Sequence, residues 1–163
     1  MADAAELRLI AFRAGEETFL VDIMAVRQII AYNGATTVPN APSFIEGIVV
    51  LRNEVIPIID LRERLGVTSP ASTPQPMILI TNTADGAIGL KVDEVRSIVN
   101  VAGDALLPAP EIIRGIRGDL LVAIVPQGED VYLLIDIDSV LTSEEKTALH
   151  SVELSSSPGA SDR

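Results

Sequence analysis

Short apolar runs rich in Val, Ile and Leu alternate with turn-forming residues along most of the chain. Runs of this length and composition, bounded by Gly, Asn or Asp, are typical of β-strands joined by tight turns. The strongest single signal is Asp85-Gly86, a pair that favours a two-residue hairpin turn. Four hairpins are predicted on this basis, over residues 6–23, 47–61, 77–92 and 119–137.

Helical segments are predicted to be few and short. The run MAVRQII, residues 24–30, predicts one helical turn that leads into a strand. The run DLRERLG, residues 60–66, predicts a short helix because Asp60 can cap its first turn and Gly66 can end it. A terminal helix is predicted over residues 143–150.

Segments of the first half recur in the second half in the same order. APSFIEGI and APEIIRGI are identical at five of eight positions, and Asp60 has Asp136 as its counterpart. The matched segments are 19–30 with 88–99, 41–48 with 109–116, and 58–65 with 134–141. The chain is therefore predicted to hold two structural repeats of about five strands each. Such units suit small β-barrels, which pack together and leave a groove between them.

The composition restricts the classes of partner. The net charge is −11, and no segment is rich in Lys or Arg, which argues against nucleic acids and anionic membrane surfaces. No apolar run is long enough to span a bilayer, so no membrane insertion is predicted. The first residues, MADAAELRLIAF, lack the basic segment of a secretory signal, and a cytoplasmic protein is predicted.

The residues that usually carry catalysis or bind metals are scarce. Cys is absent, and the single His, His150, lies in the predicted terminal helix, so neither a nucleophilic triad nor a transition-metal site is predicted. The segment that begins at Asp136 lacks the Gly and the third acidic ligand of a calcium loop. No glycine-rich phosphate loop is present, and no cofactor is predicted. The sequence therefore favours a binding protein over an enzyme.

The block FIEGIVVLRNEVIPIIDLRERLGV, residues 44–67, resembles the most recognisable block of the CheW family of bacterial chemotaxis adaptors. The resemblance extends over about residues 6–150. It implies an all-β fold with short helices, built as two intertwined five-stranded SH3-like barrels with a pseudo-twofold internal repeat. The expected parts of this single domain are a first barrel at about 15–66, a linker at 67–76, a second barrel at about 77–141, the terminal helix at 143–150 and a disordered tail at 151–163.

The resemblance also implies a function. Family members are non-enzymatic adaptors that join the histidine kinase CheA, through its regulatory domain, to the cytoplasmic tips of chemoreceptors. An adaptor of a parallel system such as twitching motility is an alternative within the same class. A barrel that binds a small molecule in the groove between the halves is an alternative from another class.

Two sets of site residues follow from the resemblance and from the repeat. Gln28 stands where the family often has an acid, Val50 replaces a polar residue, and Arg52 is expected to order its hairpin through Gln28. The expected receptor-binding groove comprises Val26, Gln28, Gly47, Arg52, Val95 and Ile98. The expected kinase-binding face comprises Val38, Phe44, Val49 and Ile56.

Overall fold

The computed structural model describes residues 6–66, 75–84, 86–110 and 120–139. Within these ranges the chain forms eleven strands, one short α-helix and several three-residue 3-10 turns, which confirms the predicted all-β class with short helices. The strands are β1 (Glu6–Ala14), β2 (Glu17–Asp22), β3 (Val26–Ala31), β4 (Ile45–Leu51), β5 (Glu54–Asp60), β6 (Met77–Thr83), β7 (Gly86–Val92), β8 (Glu94–Ala102), β9 (Leu107–Pro108), β10 (Leu121–Gln127) and β11 (Asp130–Ile135). Helix α1 spans Leu61–Leu65, and 3-10 turns span Ile23–Ala25, Gly103–Ala105 and Ile137–Ser139.

Some predicted segments lie outside the described residues. They are Asp85, residues 67–74 of the linker, residues 111–116 of the second matched segment, the terminal helix and the tail.

The predicted hairpins form as antiparallel pairs of β1 with β2, β4 with β5, β6 with β7, and β10 with β11. At the β4–β5 turn, Arg52 and Asn53 both have positive φ, 53° and 66°, which is the geometry of a two-residue type I′ turn. Asp60 Oδ1 accepts the backbone N–H of Arg62 at 3.1 Å, and Gly66 ends α1 with a φ of 72°. The predicted hairpin over residues 47–61 and the predicted cap and stop of α1 are therefore confirmed.

The two sheets do not follow the predicted division of the chain. The five-stranded sheet has the order β3-β6-β7-β5-β4, and the six-stranded sheet has the order β8-β1-β2-β11-β10-β9. The predicted barrel bounds of 15–66 and 77–141 are therefore wrong, because each half of the chain gives its first hairpin to the other sheet. Asp93 alone separates β7 from β8, and one residue is too short for a hairpin loop. The chain consequently continues from one sheet into the other, and the sheets are intertwined.

The internal repeat is visible in the topology. The orders β8-β1-β2-β11-β10 and β3-β6-β7-β5-β4 correspond strand by strand, and each contains one parallel pair, β2 with β11 and β5 with β7. β9 is the additional strand of the six-stranded sheet, and it pairs with β10. Its counterpart in the other sheet is a single bridge, in which Thr36 pairs with Ile48 of β4. The repeat that was predicted from matched segments is therefore a pseudo-twofold relation between the two sheets.

Three apolar clusters hold these sheets together. The largest lies between them and includes the stacked pair Phe12 and Phe19, whose ring centroids are 5.9 Å apart. One smaller cluster lies within each sheet, around Leu9 in the six-stranded sheet and around Ile58 in the five-stranded sheet. The core is mostly aliphatic, as the low aromatic content requires.

The five-stranded sheet closes on itself. Its terminal strands are β3 and β4, and Thr36 exchanges two backbone hydrogen bonds of 2.9 Å with Ile48. Tyr32, which follows β3, donates its hydroxyl to Glu46 Oε2 of β4 at 2.6 Å. Lys91 lies 3.3 Å from the same carboxylate oxygen, and its ammonium sits 4.6 Å from the centroid of the Tyr32 ring. These contacts join the two ends of the sheet into a barrel.

This closure predicts an alkaline step in stability. Burial, the hydrogen bond to Glu46, and the negative charges of Glu46 and Asp60 raise the pKa of Tyr32 from 10.0 to about 12. Above pH 10 the unfolded chain loses the Tyr32 proton while the folded chain keeps it, so the free energy of unfolding should fall as pH rises to 12. Tyrosinate absorbance measured against pH checks this, with Tyr32→Phe to assign the step, since the chain has two tyrosines. Titration of Tyr32 near pH 10 in the folded protein would contradict the expectation.

Candidate protein-binding cleft

A cleft of about 580 Å³ lies between β3 and β8, which are edge strands of the two sheets. Its lining is mostly apolar. The lining residues are Ile10, Ile23, Val26, Arg27, Gln28, Ile29, Val95, Arg96, Ser97 and Ile98. The cleft exists because the repeat brings the same edge of each sheet to the junction between them.

The lining follows the internal repeat. Eight of the ten lining residues form four repeat-related pairs. The pairs are Val26 with Val95, Arg27 with Arg96, Gln28 with Ser97, and Ile29 with Ile98. The cleft therefore has a local twofold character of its own.

The cleft has exposed apolar side chains at its surface and half-buried ones at its base, which pack against the core. Ile29 and Ile98 are 39% and 50% exposed, which is high for isoleucine. Val26 and Val95 are half-buried and pack against the cluster between the sheets. An exposed apolar surface of this kind is typical of a site for a protein partner.

The two arginines occupy equivalent irregularities of the strands. Arg27 is the extra residue where β3 shifts register against β6, and Arg96 is the extra residue where β8 shifts against β1. A β-bulge redirects the side chain at such a position. Both guanidinium groups are consequently brought to the lining of the cleft.

Arg27 is held by two hairpins. Its Nε and Nη2 donate to Asn82 Oδ1 at 3.2 and 2.9 Å, and its Nη1 donates to Glu54 Oε1 at 2.8 Å. Arg27 therefore ties β3 to the β4–β5 hairpin and to the β6–β7 hairpin.

Arg96 belongs to an exposed charge cluster. Its Nε lies 3.6 Å from Glu94 Oε1, which also accepts from Arg13 Nε at 3.1 Å. The hydrogen bond from Arg13, followed by the positive charges of both arginines, lowers the pKa of Glu94. The carboxylate form of Glu94 is thus favoured beside the cleft.

The structure brings together four of the residues predicted for the receptor-binding groove: Val26, Gln28, Val95 and Ile98. Gly47 and Arg52 lie elsewhere. Gly47 is in β4, where a Cβ would overlap the carbonyl oxygen of Thr36.

The expectation that Arg52 orders its hairpin through Gln28 is wrong. The Arg52 side chain makes no hydrogen bond or ion pair with another described residue, whereas Arg27 contacts Glu54 at the base of the same turn. Arg52 lies at the hairpin tip, with its side chain exposed. The link between β3 and the hairpin therefore runs through Arg27.

The residues predicted for the kinase-binding face differ in exposure. Val38, Phe44 and Val49 are half-buried, and the Arg64 guanidinium lies 5.6 Å from the centroid of the Phe44 ring. Ile56 is fully buried and packs in the core of the five-stranded sheet. Its assignment to a binding face is therefore wrong, because a partner cannot reach it.

Sequence reasoning missed six of the lining residues, although a signal for some was present. The matched segments pair Arg27 with Arg96 and Ile29 with Ile98, and this pairing indicates a repeat without indicating a site. The missed residues are Ile10, Ile23, Arg27, Ile29, Arg96 and Ser97.

The described part of the chain contains no cluster of three or more His, Asp or Glu side chains that could hold a metal ion. In the same ranges, no helix has the length and apolar character that crossing a membrane requires. The cleft offers apolar contact, two cationic side chains and two neutral polar ones. These groups are suited to holding a partner in place.

Comparisons with known proteins agree with one another. The CheW-like domain matches residues 8–145. The chemotaxis protein CheW of Rhizobium meliloti (strain 1021) is 35% identical over 140 residues, which cover 86% of this chain and 90% of that protein. The chemotaxis protein CheW of Klebsiella aerogenes is 30% identical over 141 residues, covering 86% and 85%.

A solved structure shares the fold. The scaffolding protein TtCheW from Thermoanaerobacter tengcongensis superposes with a TM-score of 0.79 at 25% identity, covering 86% of this chain and 96% of that chain. The structural match covers most of both chains, and it points to the same family as the sequence relatives do. The chain therefore belongs to the CheW family of chemotaxis scaffold proteins.

Proposed function

We propose that this protein is a non-enzymatic cytoplasmic adaptor that joins the regulatory domain of the histidine kinase CheA to the cytoplasmic tips of chemoreceptors. The observation that carries the proposal is the apolar cleft between β3 and β8 in a member of this family. An adaptor needs surfaces that bind two partners at once, and it needs no catalytic group.

The cleft is the proposed receptor site. Ile29 and Ile98 contribute exposed apolar surface, and Val26 and Val95 form a floor that the core supports. An amphipathic helix can lay its apolar face in a groove of this kind. The cleft therefore suits the helical hairpin at the tip of a chemoreceptor.

The proposed kinase-binding face includes Val38, Phe44 and Val49, without Ile56. Val49 lies opposite Ile56 and packs against the same buried cluster, whereas Val50 points to the other side of β4 and is 56% exposed. β4 is a terminal strand of its sheet, and an exposed valine on such a strand offers apolar surface to a partner. This face shares no residue with the cleft lining, as the simultaneous binding of two partners requires.

Ile98→Asp should weaken binding of a receptor-tip fragment by at least about 30-fold, corresponding to the loss of about 2 kcal/mol that defines a hot spot. The half-exposed position allows the carboxylate to be hydrated in the free protein, so the variant should fold normally. Isothermal titration calorimetry with the receptor fragment and with the CheA regulatory domain measures both affinities. Binding of the kinase domain should be unchanged.

Val131→Asp is a matched control because Val131 is 55% exposed on β11 and is not part of the cleft. It should bind the receptor fragment as the wild type does. Val26→Asp is a less suitable test, since Val26 packs against the core. Wild-type receptor affinity in the Ile98→Asp variant would rule out the cleft as the receptor site.

A further inference from the structure

The cleft has two related arginines in an otherwise apolar and neutral lining. Arg27 and Arg96 are its charged lining residues, and they are partners in the internal repeat. Their side chains are 39% and 45% exposed. The chain as a whole carries a net charge of −11, so two cations at one cleft stand out from the overall charge.

The existing contacts leave these arginines able to bind further acceptors. A guanidinium has five N–H donors, and three donors of Arg27 are used by Asn82 and Glu54. Those contacts fix the position of the Arg27 group before any partner arrives. Arg96 is placed by its bulge and by Glu94, which lies 3.6 Å away.

We propose that Arg27 and Arg96 are specificity determinants of the cleft, each binding one carboxylate on a partner with two antiparallel helical arms. The proposal rests on the function proposed above, in which a receptor hairpin occupies the cleft. A planar guanidinium binds a carboxylate through two parallel hydrogen bonds, which Lys cannot do. The apolar stripe of each arm contacts Ile29 or Ile98, and an acidic side chain beside each stripe reaches the arginine.

The local symmetry of the cleft supports an antiparallel pair of arms. Two helices that run in opposite directions are related by an approximate twofold axis, and so are the four residue pairs of the lining. A partner with one matching contact on each arm uses both halves of the cleft. A single helix matches only one half.

The departures from symmetry determine which arm lies on which side. Gln28 is longer than its counterpart Ser97. Met24 is 84% exposed beside the cleft residue Ile23, whereas its repeat counterpart Asp93 is buried. The side of the cleft at β3 therefore has an additional apolar contact that the β8 side lacks.

The test uses the full chain and two probes. The first is a chemoreceptor-tip hairpin fragment, and the second is a designed helical hairpin with an apolar stripe and one Glu on each arm. A twin of the second probe carries Gln in place of both Glu. Wild-type protein should bind the Glu hairpin about tenfold more tightly than the Gln twin, the effect of charge-assisted hydrogen bonds.

Arg27→Glu and Arg96→Glu should each weaken binding of the Glu hairpin by about tenfold, since like charges repel. The affinity of these two variants for the Glu hairpin should also depend less on salt concentration than that of the wild type does. Arg27→Lys and Arg96→Lys should retain only part of the wild-type affinity for the Glu hairpin. Arg8→Glu is the control, because Arg8 is an exposed arginine on β1 outside the cleft lining, and it should change little.

The outcomes separate this inference from the proposed function. Equal binding of the Glu hairpin and its Gln twin, or equal effects of Arg27→Glu and Arg8→Glu, would overturn the arginine assignment. Failure of the receptor fragment to bind wild-type protein, together with selective binding of the Glu hairpin, would overturn the receptor assignment and leave the arginine assignment standing.

Discussion

Gly47→Ala should lower the free energy of unfolding by about 3–5 kcal/mol, the combined cost of a strained backbone and an overpacked contact. Gly47 has a φ of +155°, which side-chain-bearing residues rarely adopt. A Cβ at this position would overlap the carbonyl oxygen of Thr36 and would lie 3.0 Å from the Ala35 Cβ. Because the obstacle is backbone, it cannot move without breaking the Thr36–Ile48 pairing that closes the barrel. Urea unfolding followed by circular dichroism measures the change.

Gly34→Ala separates the two contributions. Gly34 has a φ of +105°, but a Cβ there would have nothing within 4 Å, so only backbone strain applies. This variant should lose about 1–3 kcal/mol. Equal losses for Gly47→Ala and Gly34→Ala would show that the overlap with Thr36 contributes nothing. The requirement for glycine at position 47 would then come from its backbone conformation alone and not from the close approach of Thr36.

Asp93→Ala should lower the free energy of unfolding by about 3 kcal/mol, because it leaves two buried N–H groups, Arg62 Nε–H and the Gly15 amide, without the carboxylate that compensates them. Asp93 is 4% exposed, its carboxylate accepts the backbone N–H of Gly15, and Arg62 Nε lies 3.6 Å from its Oδ2. Arg62 Nε is itself buried without a hydrogen bond, so the carboxylate is its compensating charge. Thermal and urea unfolding both report the loss.

Asp93→Asn distinguishes charge from hydrogen bonding. The amide oxygen can still accept from Gly15 but carries no charge to offset Arg62, so an intermediate loss is expected. Glu94→Ala removes the neighbouring exposed carboxylate and should leave the stability nearly unchanged. Wild-type stability of Asp93→Asn would show that the ion pair with Arg62 is not stabilising, and that the hydrogen bond accounts for the effect of Asp93→Ala.

Local features of the fold were predictable because their causes are local. The positive φ at Asn53, the cap at Asp60 and the stop at Gly66 depend on neighbouring residues in the chain. Their side-chain chemistry favours one backbone geometry, whatever surrounds it. The repeat was also predictable, since matched segments such as 19–30 and 88–99 have equivalent positions in the two sheets.

The assignment of hairpins to sheets was not predictable in the same way. The β1–β2 and β6–β7 hairpins are repeat counterparts, and either one has the apolar pattern needed to complete either sheet. The choice depends on the connections through Ile23–Ala25 and through Asp93, which carry the chain across the junction. Sequence patterns describe the strands well, but they say little about the direction of a short connection.

The residues of the candidate site could likewise be predicted only in part, because their placement depends on contacts between distant segments. The family resemblance and the many apolar residues of an exposed hairpin predict Ile56 on a binding face, yet residues 56–59 are all buried, so alternation cannot show which side faces outward. The sequence gives Arg27 no role in the cleft beyond its match with Arg96 in the repeat. Its role depends on the bulge in β3 and on Glu54 and Asn82, which are distant in sequence.

The exchange of hairpins imposes an order on folding during synthesis. Strands β3 to β7 are contiguous from Val26 to Val92, so the five-stranded barrel has all its partners once that stretch has left the ribosome. The β1–β2 hairpin emerges first, but its neighbours β8 and β11 come much later. Until then both edges of this hairpin lack their neighbouring strands, and the cluster around Phe12 and Phe19 lacks Leu120, Ile135 and Ile137, so the hairpin is open to chaperones or to premature association. The β1–β2 hairpin, although made before the other described strands, is thus completed only when β11 has been made.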